Sequence, residues 1–416
     1  MTKKISFALL FLFAFYGITT AQSADSSKIA RLEKRIKLLE EKAEENQLEK
    51  ILNEAKAKAD EDEKTENSTT FKSGQRSLQA INPEISVTGD QYGLFTVDEN
   101  KYYPEMKSGA YFRVLGIHIQ SNLDPFSFAK AAVELTPAGI ELGEAYATWT
   151  KFIPNVSLTV GKFRQQFGVV NRWHAHSLDQ FDFPLAMTTI LGGEGLNQIG
   201  LSFDWTMPTL AADATGLILQ ITNGQNDHLF AGKTFTFPSV LTRLKNYWDV
   251  SRNTYIELGL TGMYGLNKTS IRDSAGTEIG ENDGITLLGG VDLTYFWQPV
   301  NQALYKSFTW RSELYYGNKE LYDSRITALG GYSYIEYKFA EQWQVGARFD
   351  YTQPFEPDNS SRYSYQIVPY VTYWQSHWVK LRLQYNYLNG TDYSDAINTI
   401  RLQLVWAVGP HKHDRY

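Results

Sequence analysis

From residue 83 to the C-terminus, apolar and polar residues change places one by one. Ile400, Leu402, Leu404, Trp406 and Val408 alternate with Thr399, Arg401 and Gln403. Val379, Leu381, Leu383, Tyr385 and Tyr387 alternate with Lys380, Arg382, Gln384 and Asn386, and Trp343, Val345, Ala347, Phe349 and Tyr351 with Gln344, Gly346, Arg348, Asp350 and Thr352. Successive side chains of a strand point to opposite faces, so each segment has one greasy face and one polar face. Segments of this kind are expected near 84–97, 110–123, 127–137, 139–151, 155–164, 196–206, 212–223, 236–249, 251–266, 284–298, 304–317, 326–340, 342–353, 361–374, 376–390 and 394–408. They number sixteen. Each is long enough for a tilted membrane crossing of about 9–11 residues. An even count lets the sheet close with both termini on one side and no edge in lipid. The pattern predicts an all-β transmembrane barrel of about sixteen antiparallel strands, occupying residues 83–416.

Connections alternate in character as well. Phe339–Gln342 and Gln375–His377 read as tight turns, and the polar stretches 267–283, 317–325, 353–361 and 389–395 as longer external loops. Trp297, Trp343, Trp374, Trp378 and Trp406 fall near strand ends, where the interfacial girdles of a barrel are expected. A soluble β-sandwich would not carry Trp and Tyr on the outer face of nearly every strand.

The first 82 residues have another texture. Lys3 and Lys4, the apolar run from Ile5 to Tyr16, and small residues at Thr19 and Ala21 make residues 1–21 a secretory signal peptide. Residues 22–60 predict a helical coiled-coil arm. Ile29, Leu32, Ile36 and Leu39 occupy a and d positions, and a second stripe of Leu48, Ile51, Leu52 and Ala55 follows a heptad slip after Asn46. Two clean heptads leave open whether the arm forms a dimer, a trimer or a solitary charged helix. Residues 61–82, rich in Glu, Lys, Ser, Thr and Asn, read as a flexible periplasmic linker.

Composition narrows the class. The 416 residues include 26 Tyr, 23 Phe and 10 Trp, yet mean hydropathy is −0.36, and no apolar run beyond the N-terminus is long enough for a membrane helix. The absence of cysteine excludes disulfides, thiol catalysis and thiolate metal sites, and a net charge of −6 gives no reason to expect nucleic acid as a partner.

One stretch breaks the rhythm. About thirty residues separate the segments ending at 164 and beginning at 196, well above the usual loop length. A barrel of this size has a lumen wide enough for water, so such a loop, at 165–195, can fold inward and narrow it. Charged groups facing each other across a constriction select ions. The candidates are Lys162, Arg164 and Arg172 against Asp179, Asp182 and Glu194, with His174 and His176 between them. His-x-His suggests a metal pair with Asp179 or Asp182 as an oxygen ligand, but a clear third ligand is missing. Hydrogen-bonded loop histidines are the expectation, with no metal and no cofactor. Inward-facing candidates on the strands are Arg243, Lys245, Arg311, Glu313, Arg348, Asp350, Lys380, Arg382, Gln384, Arg401 and Gln403. Each either faces water or forms a salt bridge across the lumen. No Gly-x-Ser-x-Gly, His-Glu-x-x-His or phosphate-loop motif is present, so no enzyme activity is expected.

Several motifs resemble a group of Gram-negative porin-like outer-membrane proteins. They are Asn82–Asp90, Leu123-Asp124-Pro125-Phe126, Glu144-Ala145-Tyr146, Gly161-Lys162-Phe163-Arg164 with Phe167-Gly168, and Trp173-His174-Ala175-His176. The likeness covers roughly residues 81–416. More distantly the chain resembles the phosphate-selective porin superfamily. That resemblance implies sixteen-stranded homotrimers with an inward third loop, and in some members a periplasmic coiled-coil arm. A ladder of closely spaced arginines is not evident, and from residue 81 on there are 33 Asp and Glu against 26 Lys and Arg, which departs from a phosphate-specific pattern. The combined expectation is a porin in the outer membrane of a Gram-negative bacterium, embedded in its lipid and passing small polar or ionic solutes passively, with mixed charge signs and weak ion preference. The rival reading is a plugged barrel that anchors the arm for tethering or partner binding. An energy-coupled receptor would need about 22 strands and a plug domain, which this length cannot hold.

Overall fold

In the computed structural model, sixteen antiparallel strands close into one barrel. Residues 83–97, 107–209, 211–226, 228–231, 237–272, 278–322, 324–356 and 361–409 are described. The expected signal, arm and linker at 1–82 lie outside them. The strands are β1 (Glu84–Thr96), β2 (Gly109–Asp124), β3 (Ser127–Thr136), β4 (Gly139–Ile153), β5 (Val156–Arg164), β6 (Asn197–Met207), β7 (Ala214–Thr222), β10 (Ser239–Ser251), β11 (Thr254–Arg272), β12 (Glu278–Trp297), β13 (Ser307–Glu320), β14 (Arg325–Lys338), β15 (Trp343–Gln353), β16 (Ser364–Ser376), β17 (Val379–Gly390) and β18 (Ile397–Val408). Two-residue strands β8 (Gln225–Asn226) and β9 (Phe230–Ala231) form a separate hairpin. Every barrel strand pairs with its chain neighbour, and β1 pairs with β18 to close the ring, so no edge is left for lipid.

The alternation read from the sequence matches the faces. On β18, Leu402 is 54% exposed while its neighbour Gln403 is 1% exposed. On β15, Val345 and Phe349 face out, and Arg348 and Asp350 are buried within. An apolar surface on nearly every strand has no stable counterpart in water but matches a hydrocarbon layer. Trp343 and Trp406 lie on that outer face, but Trp374 does not: it shares parity with buried Val368, Tyr370 and Thr372 and lies beneath the Lys380 ammonium, 5.5 Å from the ring centroid. The stretch 267–283 also differs from expectation, because β11 and β12 stay paired out to Arg272 and Glu278. Polar side chains do not stop a ladder from continuing beyond the lipid.

The lumen is not a plain water-filled tube. Residues 165–196, which leave β5 and return to β6, fold inward through two tight turns (Val170–Arg172 and Ala175–Ser177) and helix α1 (Leu185–Leu191). Asn171 fastens the neck of this segment: its Nδ2 donates to Gln165 O (2.8 Å) and Leu196 O (3.0 Å), and its Oδ1 accepts from Leu196 N (2.8 Å). Helix α1 ends at Gly192, whose φ of 99° lies where only glycine is comfortable. The helix packs against β13, β14 and β15. Phe167, Val170, Trp173, Leu178, Met187, Ile190 and Leu191 join lumen-facing Leu241, Met263, Leu288, Tyr315 and Tyr332 in a buried apolar core, extended by Leu229 and Phe230 beside the small hairpin. One side of the barrel interior is thus packed like a protein core.

Candidate functional site

The inward segment is held by side chains of the opposite wall that reach its backbone. Glu313 of β13 is 1% exposed, and its carboxylate accepts hydrogen bonds from Val169 N and Val170 N (3.0 Å each), Tyr315 Oη (2.7 Å) and Tyr332 Oη (2.6 Å). Gly168, at φ 65°, precedes these amides, and a Cβ there would collide with the Glu313 carboxylate. Arg311 lies over the Trp173 ring at 4.7 Å. Its partner Asp179 is 3.8 Å away and accepts from Tyr334 Oη at 2.6 Å.

Further along the segment, carbonyl groups are the acceptors. Lys380 donates to His176 O (2.9 Å), Arg382 to Leu178 O (3.0 Å), Arg113 to Phe181 O (2.6 Å) and Arg348 to Asp182 O (2.8 Å). Arg113 gains its inward direction from a bulge in β2, where Asp90 pairs with Val114 and Gln91 with Phe112. The Asp182 carboxylate meets Arg348 (3.3 Å) and Gln384 (2.6 Å). Burial alone would raise the Asp182 carboxyl, but Arg348, Arg401 and Gln384 outweigh it and pull it down to about 2. Arg401 lies over the Phe181 ring at 5.1 Å.

The expected strand candidates therefore all turn inward, and most are occupied. Arg348 also pairs with Asp350 at 2.9 Å, Arg243 with Asp292 at 2.8 Å and Lys245 with Glu257 at 3.2 Å. Gln403 donates to Asp90 at 2.9 Å. Their polarity serves pairing along the barrel wall and the inward segment as much as it serves water.

The loop candidates divide. Lys162 is placed differently from expectation: its register partners Ala145 and Ile199 belong to the outer face, and it donates to Leu142 O at the rim. Glu194 is exposed, and only its backbone oxygen enters the site, accepting from Arg164 at 3.1 Å. Asp179 and Asp182 are fastened to the β13–β17 wall, so they do not face Arg164 and Arg172 across an opening. The acids that do share a space with these arginines are Glu144 and Asp204.

His174 is clamped. Its Nδ1 lies 2.9 Å from Glu134 Oε1 and its Nε2 2.9 Å from Glu144 Oε2, an arrangement in which two carboxylates accept from the ring and favour the imidazolium. Burial would lower its pKa, yet the two carboxylates prevail and raise it above the ordinary 6.5. His176 and His118 stand beside it, with centroids 5.6 Å and 4.9 Å from the His174 ring. Among the described residues no group of three or more His, Asp or Glu is arranged to hold a metal ion.

Between the inward segment and the wall of β2–β7 a half-enclosed cavity of about 340 Å³ remains. Lys130, Arg164 and Arg172 bring positive charge to it and Glu144 and Asp204 negative charge, among hydroxyl and amide groups that include Thr148, Thr159, Ser202 and Gln220. Lys130, Glu134, Arg113 and Asp204 escaped the sequence reading. Strand parity would have shown Lys130 and Asp204 to face inward, but not that the segment leaves space beside them.

No protein-family model matches the chain. In sequence it is similar to an uncharacterised protein of Aquifex aeolicus (strain VF5), at 24% identity over 291 residues, covering 68% of this chain and 55% of that protein. The chain spans about half the length of the curated relative it matches. In structure it is similar to OprB of Pseudomonas putida, with a TM-score of 0.56, 11% identity, and coverage of 81% of this chain and 96% of that one. An anion-selective porin from Comamonas acidovorans gives a TM-score of 0.54 at 9% identity, covering 78% and 99%. The loop L8 deletion mutant of OmpT, an outer membrane protein of Vibrio cholerae, gives 0.52 at 11% identity, also covering 78% and 99%. With its closed ring of sixteen antiparallel strands, the chain has the fold of the outer-membrane porins.

Proposed function

We propose that this barrel is an outer-membrane channel for small polar or ionic solutes, which pass through the cavity between the inward segment and the β2–β7 wall. The observation that carries this reading is the contrast inside one lumen: the β11–β15 side is packed with apolar side chains, whereas the β2–β7 side keeps a charged, hydroxyl-lined space. A charged, hydroxyl-lined space of this size holds water, and small water-soluble solutes with it. We extend the proposal to a homotrimer, and to a periplasmic position for the arm at 22–60.

Purified full-length protein in a planar bilayer tests it. Stable ohmic steps are expected, and replacing Thr159 in the cavity wall with Trp should reduce their size. Absence of steps under any salt or voltage would refute the channel. One observation favours the second reading, a plugged barrel anchoring the arm: the apolar core inside the lumen is extensive. That reading expects no conductance and no effect of T159W. Chemical cross-linking in detergent should give a three-subunit band if the trimer holds.

A further inference from the structure

Two opposite charges in the cavity keep unused hydrogen-bonding capacity. Arg172, at the end of its turn, makes one long hydrogen bond, from Nη1 to Gln166 Oε1 at 3.4 Å. Asp204 on β6 accepts from Gln166 Nε2 at 3.1 Å and from Ser202 Oγ at 3.4 Å, both at Oδ1, which leaves Oδ2 without a protein donor. Gln166 therefore stands between a cation and an anion, its amide oxygen toward one and its amide nitrogen toward the other. Gln220 Oε1 steadies it by accepting from the Gln166 backbone N at 3.0 Å.

Elsewhere in the lumen, opposite charges meet directly, as in Arg243–Asp292 at 2.8 Å and Arg348–Asp350 at 2.9 Å. Here they are held apart by the width of an amide. The other carboxylate in the cavity wall is engaged: Glu144 receives His174 Nε2 (2.9 Å), Lys130 Nζ (3.5 Å) and Arg164 N (3.2 Å). Arg172 and Asp204 are half-buried, and a partly desolvated charge without a close partner carries a cost that a solute supplying the partner offsets. A simple anion drawn to Arg172 would be repelled by Asp204, and a simple cation drawn to Asp204 would be repelled by Arg172. A solute carrying a carboxylate and an ammonium a few bonds apart satisfies both. Phe128 and Phe163 give the same cavity an apolar wall for a short side chain, and its volume of about 340 Å³ suits a small solute.

We propose that the Arg172–Gln166–Asp204 cavity is a selectivity site for small zwitterions of the α-amino-acid class, with the carboxylate on Arg172, the ammonium on Asp204 and Gln166 as the positioning residue. This rests on the channel reading. It goes beyond weak ion preference by naming the solute class that the two charges favour together.

Swelling of proteoliposomes containing the full-length protein tests the site. Alanine is compared with lactamide, a neutral solute of nearly the same size, and with lactate and alaninamide salts. In the wild type, alanine should enter about threefold faster than lactamide, the advantage of one modest ion-pair contact at each end. That ratio should fall to about one in R172M and separately in D204N, and stay at the wild-type value in the outward-facing variant K162M. Either cavity variant suffices if the other fails to fold. Equal entry of alanine and lactamide in the wild type overturns the inference while leaving the channel intact. Faster entry of lactate or alaninamide than alanine overturns it too, in favour of a simple charge filter. If no solute enters and no current flows, the channel reading itself fails.

Discussion

Replacing Glu313 with Ala should loosen the inward segment without unfolding the barrel. Glu313 terminates four hydrogen bonds, two from the backbone amides of Val169 and Val170 and two from the hydroxyls of Tyr315 and Tyr332. The tyrosine hydroxyls can rotate toward other acceptors or water. The amides cannot, and each buried donor left unmade costs about 1–3 kcal/mol, so the pair costs about 2–6 kcal/mol. Removing a buried carboxylate relieves its desolvation, which draws the net effect toward the lower end. At about 2 kcal/mol, local opening becomes roughly 30-fold more frequent. Hydrogen exchange read by mass spectrometry on peptides covering Val169 and Val170 measures this directly, with the strand ladders of β3 and β17 as internal references. E313Q should fall between, because one amide oxygen still accepts while its NH₂ opposes the donors around it. Unchanged protection at 169–170 in E313A, with the barrel intact, would refute the claim that this carboxylate holds the segment.

R348M should cost about 3–5 kcal/mol in barrel stability, since it leaves the buried Asp350 and the half-buried Asp182 carboxylates without their shared cation; the midpoint of urea unfolding in detergent checks it, and adding D350N should recover part of the loss. His174 has a raised pKa, so its contribution to anchoring is complete below the ordinary value of 6.5 and is lost as pH climbs through the higher value of the folded state. Exchange protection around Ser177 should accordingly fall from pH 6 to alkaline pH in the wild type and stay flat in H174Q; a wild type flat across that range would sink the clamp. R172A should shift the reversal potential in a salt gradient toward cations, whereas K162L should leave it unchanged, because Lys162 lies on the outer face. A shift of equal size in both would mean that strand parity around β5 is wrong.

The barrel was legible in the chain because its cause is local. A strand between lipid and an aqueous or polar interior must alternate with period two, so Leu402 against Gln403 and Phe349 against Arg348 report their faces without knowledge of any other strand. The sixteen segments, their antiparallel order and the long interruption before 196 follow from that pattern and from chain continuity. Lys162 was legible in principle too, since it shares parity with outward-facing Val160, but its place next to Arg164 suggested a constriction.

Tertiary structure alone decided what the inward polar residues meet. Glu313 finds the amides of residues 169 and 170, 144 and 143 positions earlier, and Lys380 finds the carbonyl of His176 across 204 positions. An arginine facing water and one facing a buried carbonyl obey the same alternation, so parity could not separate a pore lining from an anchor. Which side of the lumen stays open depends on where Phe167, Trp173 and helix α1 lodge, a matter of volume packed against β13–β15 rather than of any local signal. The same closure fastened Asp179 and Asp182 to one wall and left Arg172 and Asp204 to share the space along the other.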